Sequence, residues 1–173
     1  CDWSSDVCSS DLVRMLPAKM HIDFVLSATQ QKAHDLLQSQ LQEKKVCLLH
    51  GVTGSGKTLL YIKLIEEIIN KGKQALYLLP EIALTSQIIR RLEKHFGGHI
   101  CVYHSKFNDQ ERIELWNRIR NKEVAVVLGA RSSLFLPFSD LGLVIVDEEH
   151  DASYKQQDRK STRLNSSHSS VSR

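Results

Sequence analysis

Long apolar runs, paired cysteines and a strong net charge are all missing from this sequence, and these absences narrow the class of protein. No run approaches the roughly 20 apolar residues of a membrane-spanning helix, and no basic-then-apolar leader opens the chain. Only four of the 173 residues are cysteines, none in a C-x-x-C pair, so free thiols are expected instead of zinc ligands or disulfides. A net charge of +3 neither requires nor excludes a nucleic-acid partner. We therefore expect a cytoplasmic globular protein.

The two ends of the chain differ in composition from its centre. Residues 1–12 have neither a helical nor a strand period, and residues 158–173 form a polar, Ser-rich stretch. The codons of one synthetic sequencing adapter, read on its two opposite strands, would encode both ends. We therefore predict that both ends are adapter-derived, that residues 13–25 are a linker, and that residues 26–157 form the domain.

Between these ends, short apolar runs alternate with segments of helical period. Strands are predicted at residues 46–49, 74–79, 99–103, 123–128 and 143–146, and helices at 30–44 (capped by Ser27), 57–70, 84–96 and from Asn108 or Asp109 to Arg120. The runs are continuously apolar, as in a parallel sheet buried on both faces. The pattern predicts an α/β fold, a mostly parallel sheet with helices on both faces. Trp116 is expected to pack in the core, on the apolar face of its helix.

The segment GVTGSGKT, residues 51–58, matches the phosphate-binding loop pattern G-x-x-x-x-G-K-[ST] at every position. It follows an apolar run and opens a predicted helix, which is the context that the pattern requires. Glycines let the backbone wrap a phosphate chain, and the amides at the helix start attract the anion. We expect Lys57 to contact the β- and γ-phosphates of ATP and the Thr58 hydroxyl to bind Mg²⁺. The other predicted phosphate contacts are Gly51, Thr53, Gly54, Ser55 and Gly56.

A second candidate site is the segment VIVDEEH, residues 144–150, in which an apolar run ends in acidic residues. A phosphate-loop enzyme needs one acid to hold Mg²⁺ and one to orient the attacking water. Asp147, directly after the run, is predicted to bind Mg²⁺, and Glu148 to act as general base or to position the water. Acids after a strand often form only a solvated turn, but the upstream phosphate loop favours function. Glu149 is assigned no role, and His150 either couples the nucleotide to a second site or caps a turn.

Five segments carry a resemblance to a known family: GVTGSGKT, LPEIALTSQ, YHSKFNDQERIELW, VVLGARSSLFLPF and VDEEHDASYKQQ, in this order. Over residues 26–157 the chain resembles the first motor lobe of the PriA-type DNA helicases, superfamily 2 enzymes of bacterial replication restart. The resemblance implies a RecA-like lobe with ATP and Mg²⁺ as cofactors. It implies forked or single-stranded DNA, primosome proteins and the single-stranded-DNA-binding protein as partners, and zinc only in a part of the parent protein outside this chain.

The resemblance also assigns roles to individual residues. Gln30 matches a glutamine that reads the adenine base. The DNA-contact candidates that it implies are Pro80, Glu81, Thr85, Gly129, Arg131 and Ser132, and Arg131 would meet a phosphate. Ala130 departs from the family, whose members often have threonine there, and this removes a hydroxyl available to the DNA backbone. His104 and Ser105 lie in a family segment but receive no chemical role.

The resemblance predicts a lobe that binds nucleotide weakly and hydrolyses it negligibly by itself. The parent enzyme would couple ATP hydrolysis to movement along DNA, with an arginine from a second lobe that can be worth roughly 10³–10⁵ in rate. Two alternatives stay open. One is a lobe of another superfamily 2 DNA translocase, and the other is a non-catalytic nucleotide- or DNA-binding module.

Overall fold

The computed structural model describes residues 24–52, 54–80, 86–104, 107–151 and 154. In chain order the helices are α1 (Ala28–Glu43), α2 (Lys57–Asn70), α3 (Ser86–Phe96) and α4 (Asp109–Arg120), and the strands are β1 (Gln74–Leu78), β2 (Ile100–Tyr103), β3 (Val126–Gly129) and β4 (Leu141–Val146). Two short 3₁₀ turns, Gly97–His99 and Arg131–Phe135, link these elements. Within the described ranges, no helix has the length and apolar content needed to cross a bilayer.

The described strands form one parallel sheet in the order β2-β3-β1-β4. β1 and β3 are buried along their whole length, because helices cover both faces of the sheet. α2 and α3 pack on one face around Tyr77 and Leu128, and α4 packs on the other face around Leu76 and Val127. The predicted α/β fold, with a parallel sheet and helices on both faces, is confirmed.

Side-chain caps determine where α1 and α4 begin. At α1, Ser27 Oγ accepts from the Gln30 backbone N–H (3.3 Å), and Gln30 Oε1 accepts from the Ser27 N–H (3.0 Å). Asn108 and Glu111 make the same reciprocal exchange at α4, at 2.9 and 2.8 Å. Each exchange satisfies backbone donors that the first helical turn leaves without a partner. The Ser27 cap is confirmed, and of the two candidates at α4 the cap is Asn108.

The strand predicted at residues 46–49 is wrong, because the structure has no strand there. The side chains still alternate, with Val46 and Leu48 exposed while Leu49 packs against the core. A strand needs a neighbour for its backbone N–H and C=O groups, and no described segment pairs with residues 46–49. This segment and β4, whose outer edge has no partner in the described sheet, line the same cavity of about 2120 Å³. The continuously apolar run predicted a buried strand, but it could not show that the described sheet offers this segment no pairing neighbour.

The prediction that Trp116 packs in the core is also wrong. The buried residues of α4 are Leu115 and Ile119, one helical turn apart, and they face the sheet. Trp116 is 45% exposed and Ile113 is 63% exposed, because both lie beside this stripe and not on it. Ile113, Trp116 and Ile119 have helical spacing, but the face of the helix that packs against the sheet is the neighbouring one, which carries Leu115 and Ile119.

Gln74 is a buried polar side chain that sequence reasoning did not single out. Its amide nitrogen donates to the carbonyl oxygens of Ile119 (2.9 Å) and Val124 (2.8 Å), and its own Oε1 accepts from the Ser139 N–H (3.1 Å). The residue is fully buried, so these bonds satisfy its whole amide group. They join the start of β1 to the end of α4 and to the segment before β4.

We expect Gln74→Leu to lower the free energy of unfolding by about 2–4 kcal/mol, because leucine has a similar volume but cannot make the three buried hydrogen bonds of Gln74. Urea unfolding followed by circular dichroism measures the loss. Gln42→Leu is the matched control, since Gln42 is exposed near the end of α1, and it should change stability by less than about 0.5 kcal/mol. Equal stability of the two variants would contradict the role assigned to Gln74.

Candidate nucleotide-binding site

The phosphate loop and the acidic segment after β4 line one cavity, although they are far apart in the sequence. The cavity is lined by Gly51, Gly54, Gly56, Lys57 and Thr58 from the loop, and by Asp147, Glu148, Glu149 and His150 from the acidic segment. α2 begins at Lys57, so the end of the loop carries the free backbone amides of a helix N-terminus. The structure therefore brings the two predicted motifs together. Thr53 lies outside the described residues, and Ser55 is exposed on the loop.

The side chain of Lys57 folds back onto the loop that it ends. Its Nζ donates to the carbonyl oxygens of Gly51 (2.6 Å) and Val52 (3.1 Å). A turn between Val52 and Ser55, whose N–H donates to the Val52 oxygen at 3.2 Å, shapes the same loop. The ammonium group therefore lies at the loop backbone, where a phosphate would compete with two carbonyl oxygens for it.

Two glycines of the loop have a backbone conformation that other residues rarely adopt. φ is +79° at Gly54 and +84° at Gly56, and side chains with a Cβ disfavour this region. Gly56 carries a second constraint, because a Cβ built there would overlap the side-chain amide nitrogen of Gln30. At Gly54 the same construction meets no atom within 4 Å. Glycine is therefore favoured at position 56 by its backbone conformation, and a Cβ there would also have to displace the end of the Gln30 side chain.

Gln30 connects α1 to the phosphate loop. Its Oε1 accepts from the Ser27 N–H in the helix cap, while its Nε2 lies against the Cα of Gly56. α1 is held on α2 through Glu67, which accepts from Gln38 Nε2 at 2.6 Å and lies 3.1 Å from His34 Nε2. The structure brings the Gln30 side chain to the loop. That Gln30 reads adenine stays a prediction.

Asp147, directly after β4, is held by four hydrogen bonds. Its N–H donates to the Leu78 carbonyl (3.0 Å), one step beyond the β1–β4 ladder. The Tyr77 hydroxyl donates to its Oδ2 (2.8 Å), and the Glu148 N–H donates to its Oδ1 (3.2 Å). The Tyr154 hydroxyl donates to its main-chain oxygen (3.1 Å). These bonds fix the orientation of a partly buried carboxylate at the cavity wall.

Three tyrosines near Asp147 have raised pKa values. Burial, and then the negative charge of Asp147, raises the pKa of Tyr77 above its ordinary value. Burial and the same carboxylate raise the pKa of Tyr61 to about 12, with a smaller contribution from Glu149. The pKa of Tyr154 is also raised to about 12, first by burial and then by Asp147. All three hydroxyls therefore keep their protons at neutral pH, and those of Tyr77 and Tyr154 act as hydrogen-bond donors to Asp147.

The acidic residues after Asp147 have a different environment. Glu148 has a positive φ of 52° in a tight turn, in which the Asp151 N–H donates to its carbonyl oxygen at 2.8 Å. This conformation is uncommon for a residue with a side chain and is often found at functional sites. Glu148 is exposed, as are the Glu149 and His150 side chains. The metal role predicted for Asp147 and the water-activating role predicted for Glu148 stay predictions.

The predicted DNA contacts fall into three groups: Arg131 and Ser132 are exposed, Pro80 and Gly129 are buried, and Glu81 and Thr85 lie outside the described residues. A Cβ on Gly129 would overlap the side chain of Ser133, so packing alone requires glycine there. Arg131 begins the 3₁₀ turn after β3, and its Nη1 donates to the Tyr154 carbonyl oxygen at 3.4 Å. Of the described candidates, Arg131 and Ser132 have exposed side chains, and their contact with DNA stays a prediction.

Sequence reasoning missed the part that Tyr77 and Tyr154 take in this site. Tyr77 lies within an apolar strand, and only the pairing of β1 with β4 puts it beside the acid. Tyr154 belongs to the segment VDEEHDASYKQQ but had no separate signal.

His104 stacks on Phe107 with ring centroids 4.2 Å apart, which gives it a packing role in its loop.

Comparison with known proteins assigns the chain to a family. A profile described as DEAD/DEAH box helicase matches residues 17–170. The chain therefore belongs to the DEAD/DEAH box helicase family. The matched range runs past both domain boundaries drawn from the sequence, at residues 26 and 157, and those boundaries stay predictions.

Individual relatives give a more specific similarity than the family profile. The chain is 47% identical over 135 residues to the replication restart protein PriA of Bacillus subtilis, covering 77% of this chain and 17% of that protein. It is 54% identical over 113 residues to the same protein of Haemophilus influenzae, covering 65% and 16%. Among solved structures it is similar to RecG bound to a three-way DNA junction, with 25% identity and a TM-score of 0.63 over 80% of this chain and 21% of that chain. The chain thus spans only 17% and 16% of the length of these two curated relatives.

We expect Gly56→Ala to destabilise the chain more than Gly54→Ala. Both substitutions place alanine at a positive φ, at a cost of about 1–2 kcal/mol, but only the first forces a Cβ against Gln30. Urea unfolding of the two variants gives the difference. Adding Gln30→Ala should recover stability only in the Gly56→Ala background, and recovery in neither or in both backgrounds would contradict the close approach.

Proposed function

We propose that this chain is the ATP-binding first motor lobe of a PriA-type, ATP-dependent DNA helicase that acts in replication restart. The observation that carries the proposal is the single cavity lined by the phosphate loop with Lys57 and by the acidic residues Asp147 and Glu148. Such a cavity has both the cationic, amide-rich wall and the acidic wall that phosphoryl transfer needs. The relatives named as replication restart proteins supply the rest of the argument, at 47% and 54% identity.

The phosphates of ATP would bind at the loop, where the backbone amides at the start of α2 are free to donate. Lys57 would exchange the carbonyl oxygens of Gly51 and Val52 for phosphate oxygens, which bear a full negative charge and accept stronger hydrogen bonds. Gln30, whose side-chain amide lies beside Gly56, would meet the base. These residues bind and orient the nucleotide.

The donors present fit Mg²⁺, which neutralises phosphate charge when it is bound. Thr58 offers a hydroxyl and Asp147 a carboxylate, both hard oxygen ligands in the same cavity. The described part of the chain contains no cluster of three His, Cys, Asp or Glu residues suited to a metal ion. Mg²⁺ does not need such a cluster, because it is usually held by one or two protein oxygens together with substrate phosphates and water.

Hydrolysis needs a water molecule that is oriented toward the terminal phosphate. Glu148 has an exposed carboxylate beside the anchored Asp147 and is suited to accept the proton of that water or to orient it. An arginine from a second lobe would stabilise the transition state, and such a group is worth roughly 10³–10⁵ in rate. The chain alone is therefore proposed to bind nucleotide and to hydrolyse it negligibly.

Forked or single-stranded DNA is the proposed substrate of the whole helicase. Arg131 and Ser132 are the described DNA-contact candidates with exposed side chains, and a guanidinium is suited to a phosphate. Primosome proteins and the single-stranded-DNA-binding protein are the proposed partners, in the cytoplasm. The likeness to RecG, whose solved structure is bound to a three-way DNA junction, favours one alternative, a lobe of another superfamily 2 DNA translocase. In the longer protein, stronger ATPase stimulation by forked than by linear DNA supports the PriA-type assignment, and equal stimulation by both favours a translocase without fork preference.

We expect Lys57→Ala to weaken binding of a fluorescent ATP analogue in Mg²⁺ buffer by at least about tenfold, because each charge-assisted bond to phosphate contributes about 1.5–3 kcal/mol. A titration followed by fluorescence anisotropy measures the affinity of the 173-residue chain. Lys32→Ala is the control, since Lys32 is exposed on α1 and does not line the cavity. Equal affinity of wild type and Lys57→Ala would refute the site.

We expect Arg131→Ala in the longer helicase to weaken binding of single-stranded DNA and to reduce the slope of log affinity against log salt by about one. The reason is the loss of one phosphate contact and its released counterion. Arg120→Ala is the matched control, because Arg120 is an exposed arginine at the end of α4, outside the predicted contact set. An unchanged slope in Arg131→Ala would show that Arg131 meets no phosphate.

A further inference from the structure

Tyr77 is an unusual residue to find at the centre of the sheet. It lies on β1 between Leu128 of β3 and Ile145 of β4, and it is fully buried. Its ring meets the ring of Tyr61 edge to face, with centroids 5.7 Å apart. A phenylalanine would pack in the same space, so the hydroxyl calls for a separate explanation.

The hydroxyl of Tyr77 lies beside Asp147, the acidic residue that lines the cavity. It donates to Asp147 Oδ2 at 2.8 Å, while the Glu148 N–H donates to Oδ1 at 3.2 Å. The Asp147 N–H also donates to the Leu78 carbonyl oxygen, so hydrogen bonds hold both the backbone and the carboxylate of Asp147. Each carboxylate oxygen has two lone pairs, so each keeps capacity for a ligand after accepting one hydrogen bond.

We propose that Tyr77 is a positioning residue for the metal-binding carboxylate: its buried hydroxyl fixes the rotation of the Asp147 side chain so that the free lone pairs face the cavity. This inference rests on the proposed function, in which Asp147 binds the divalent cation of a nucleotide complex. Tyr77 itself touches neither the cation nor the nucleotide. Partners that orient a metal ligand in this way typically change metal affinity by about 10–100-fold when they are removed.

Burial makes the tyrosine effective in this role. Because Tyr77 is fully buried, its hydroxyl reaches Asp147 Oδ2 from the core side and leaves the cavity side of the carboxylate open to a ligand. Removal of the hydroxyl would leave Oδ2 with one donor fewer and allow the carboxylate to rotate about its side-chain bonds. The ring would stay in place against Tyr61, so the change would affect the carboxylate more than the core.

The test compares Tyr77→Phe, Tyr103→Phe and Asp147→Asn in the 173-residue chain. Mn²⁺ replaces Mg²⁺ as a paramagnetic probe, and its affinity in the presence of saturating ADP is measured by electron paramagnetic resonance. We expect Tyr77→Phe to weaken Mn²⁺ binding by about tenfold. Tyr103→Phe is the control, because Tyr103 is a partly buried tyrosine on β2 that does not line the cavity, and it should leave the Mn²⁺ affinity unchanged. ADP affinity in EDTA should be equal in wild type and Tyr77→Phe, because the hydroxyl does not contact the nucleotide.

The outcomes separate this inference from the proposed function. If Asp147→Asn leaves Mn²⁺ affinity unchanged, the metal role of Asp147 is wrong, and the inference is wrong with it. If Asp147→Asn weakens Mn²⁺ binding but Tyr77→Phe matches wild type, only the positioning role is overturned. Tyr77→Phe added to Asp147→Asn should have no further effect, since the hydroxyl acts through that carboxylate. An equal loss in both backgrounds would instead indicate a general disturbance of the sheet and would also overturn the inference.

Discussion

Parallel pairing of β1 with β4 controls where the acidic residues of this domain lie. The register aligns Leu78 with Val146, so Asp147 is the first residue beyond the ladder and still bonds to the Leu78 carbonyl at 3.0 Å. The same register places Tyr77 beside Ile145, from where its hydroxyl reaches the carboxylate. A slip of one residue would turn these side chains to the opposite face. The acidic wall of the candidate nucleotide cavity therefore depends on one strand pairing.

Polar side chains in partly or fully buried positions connect segments that are distant in the sequence. Gln74 joins β1 to the end of α4, Gln30 joins α1 to the phosphate loop, and Tyr77 joins β1 to Asp147. The hydrogen bonds of Gln74 and Tyr77 are each worth only about 1 kcal/mol net, but a buried polar group that loses its partner costs more. These side chains therefore specify geometry, while the apolar core supplies most of the stability.

One side of the domain has exposed apolar side chains. Val144 and Val146 on β4 are 42% and 44% exposed, and Val46 and Leu48 across the same cavity are more exposed still. Exposed apolar strand edges favour association with other chains. The chain spans about a sixth of the length of the two curated relatives described above, and a lobe within a longer protein would bury such surface against its neighbours.

Local patterns were sufficient to determine the phosphate-loop motif, the cap at Ser27 and the alternation of strands and helices, because each depends on residues close together in the chain. The sequence also determined that Asp147 directly follows an apolar strand. Only the tertiary structure decided that residues 46–49 lack a pairing neighbour, that Leu115 and not Trp116 faces the sheet, and that Tyr77 holds the acid. The physical reason is that strand pairing and packing join residues far apart in sequence, whereas the hydrophobic periodicity of a segment depends only on the residues of that segment.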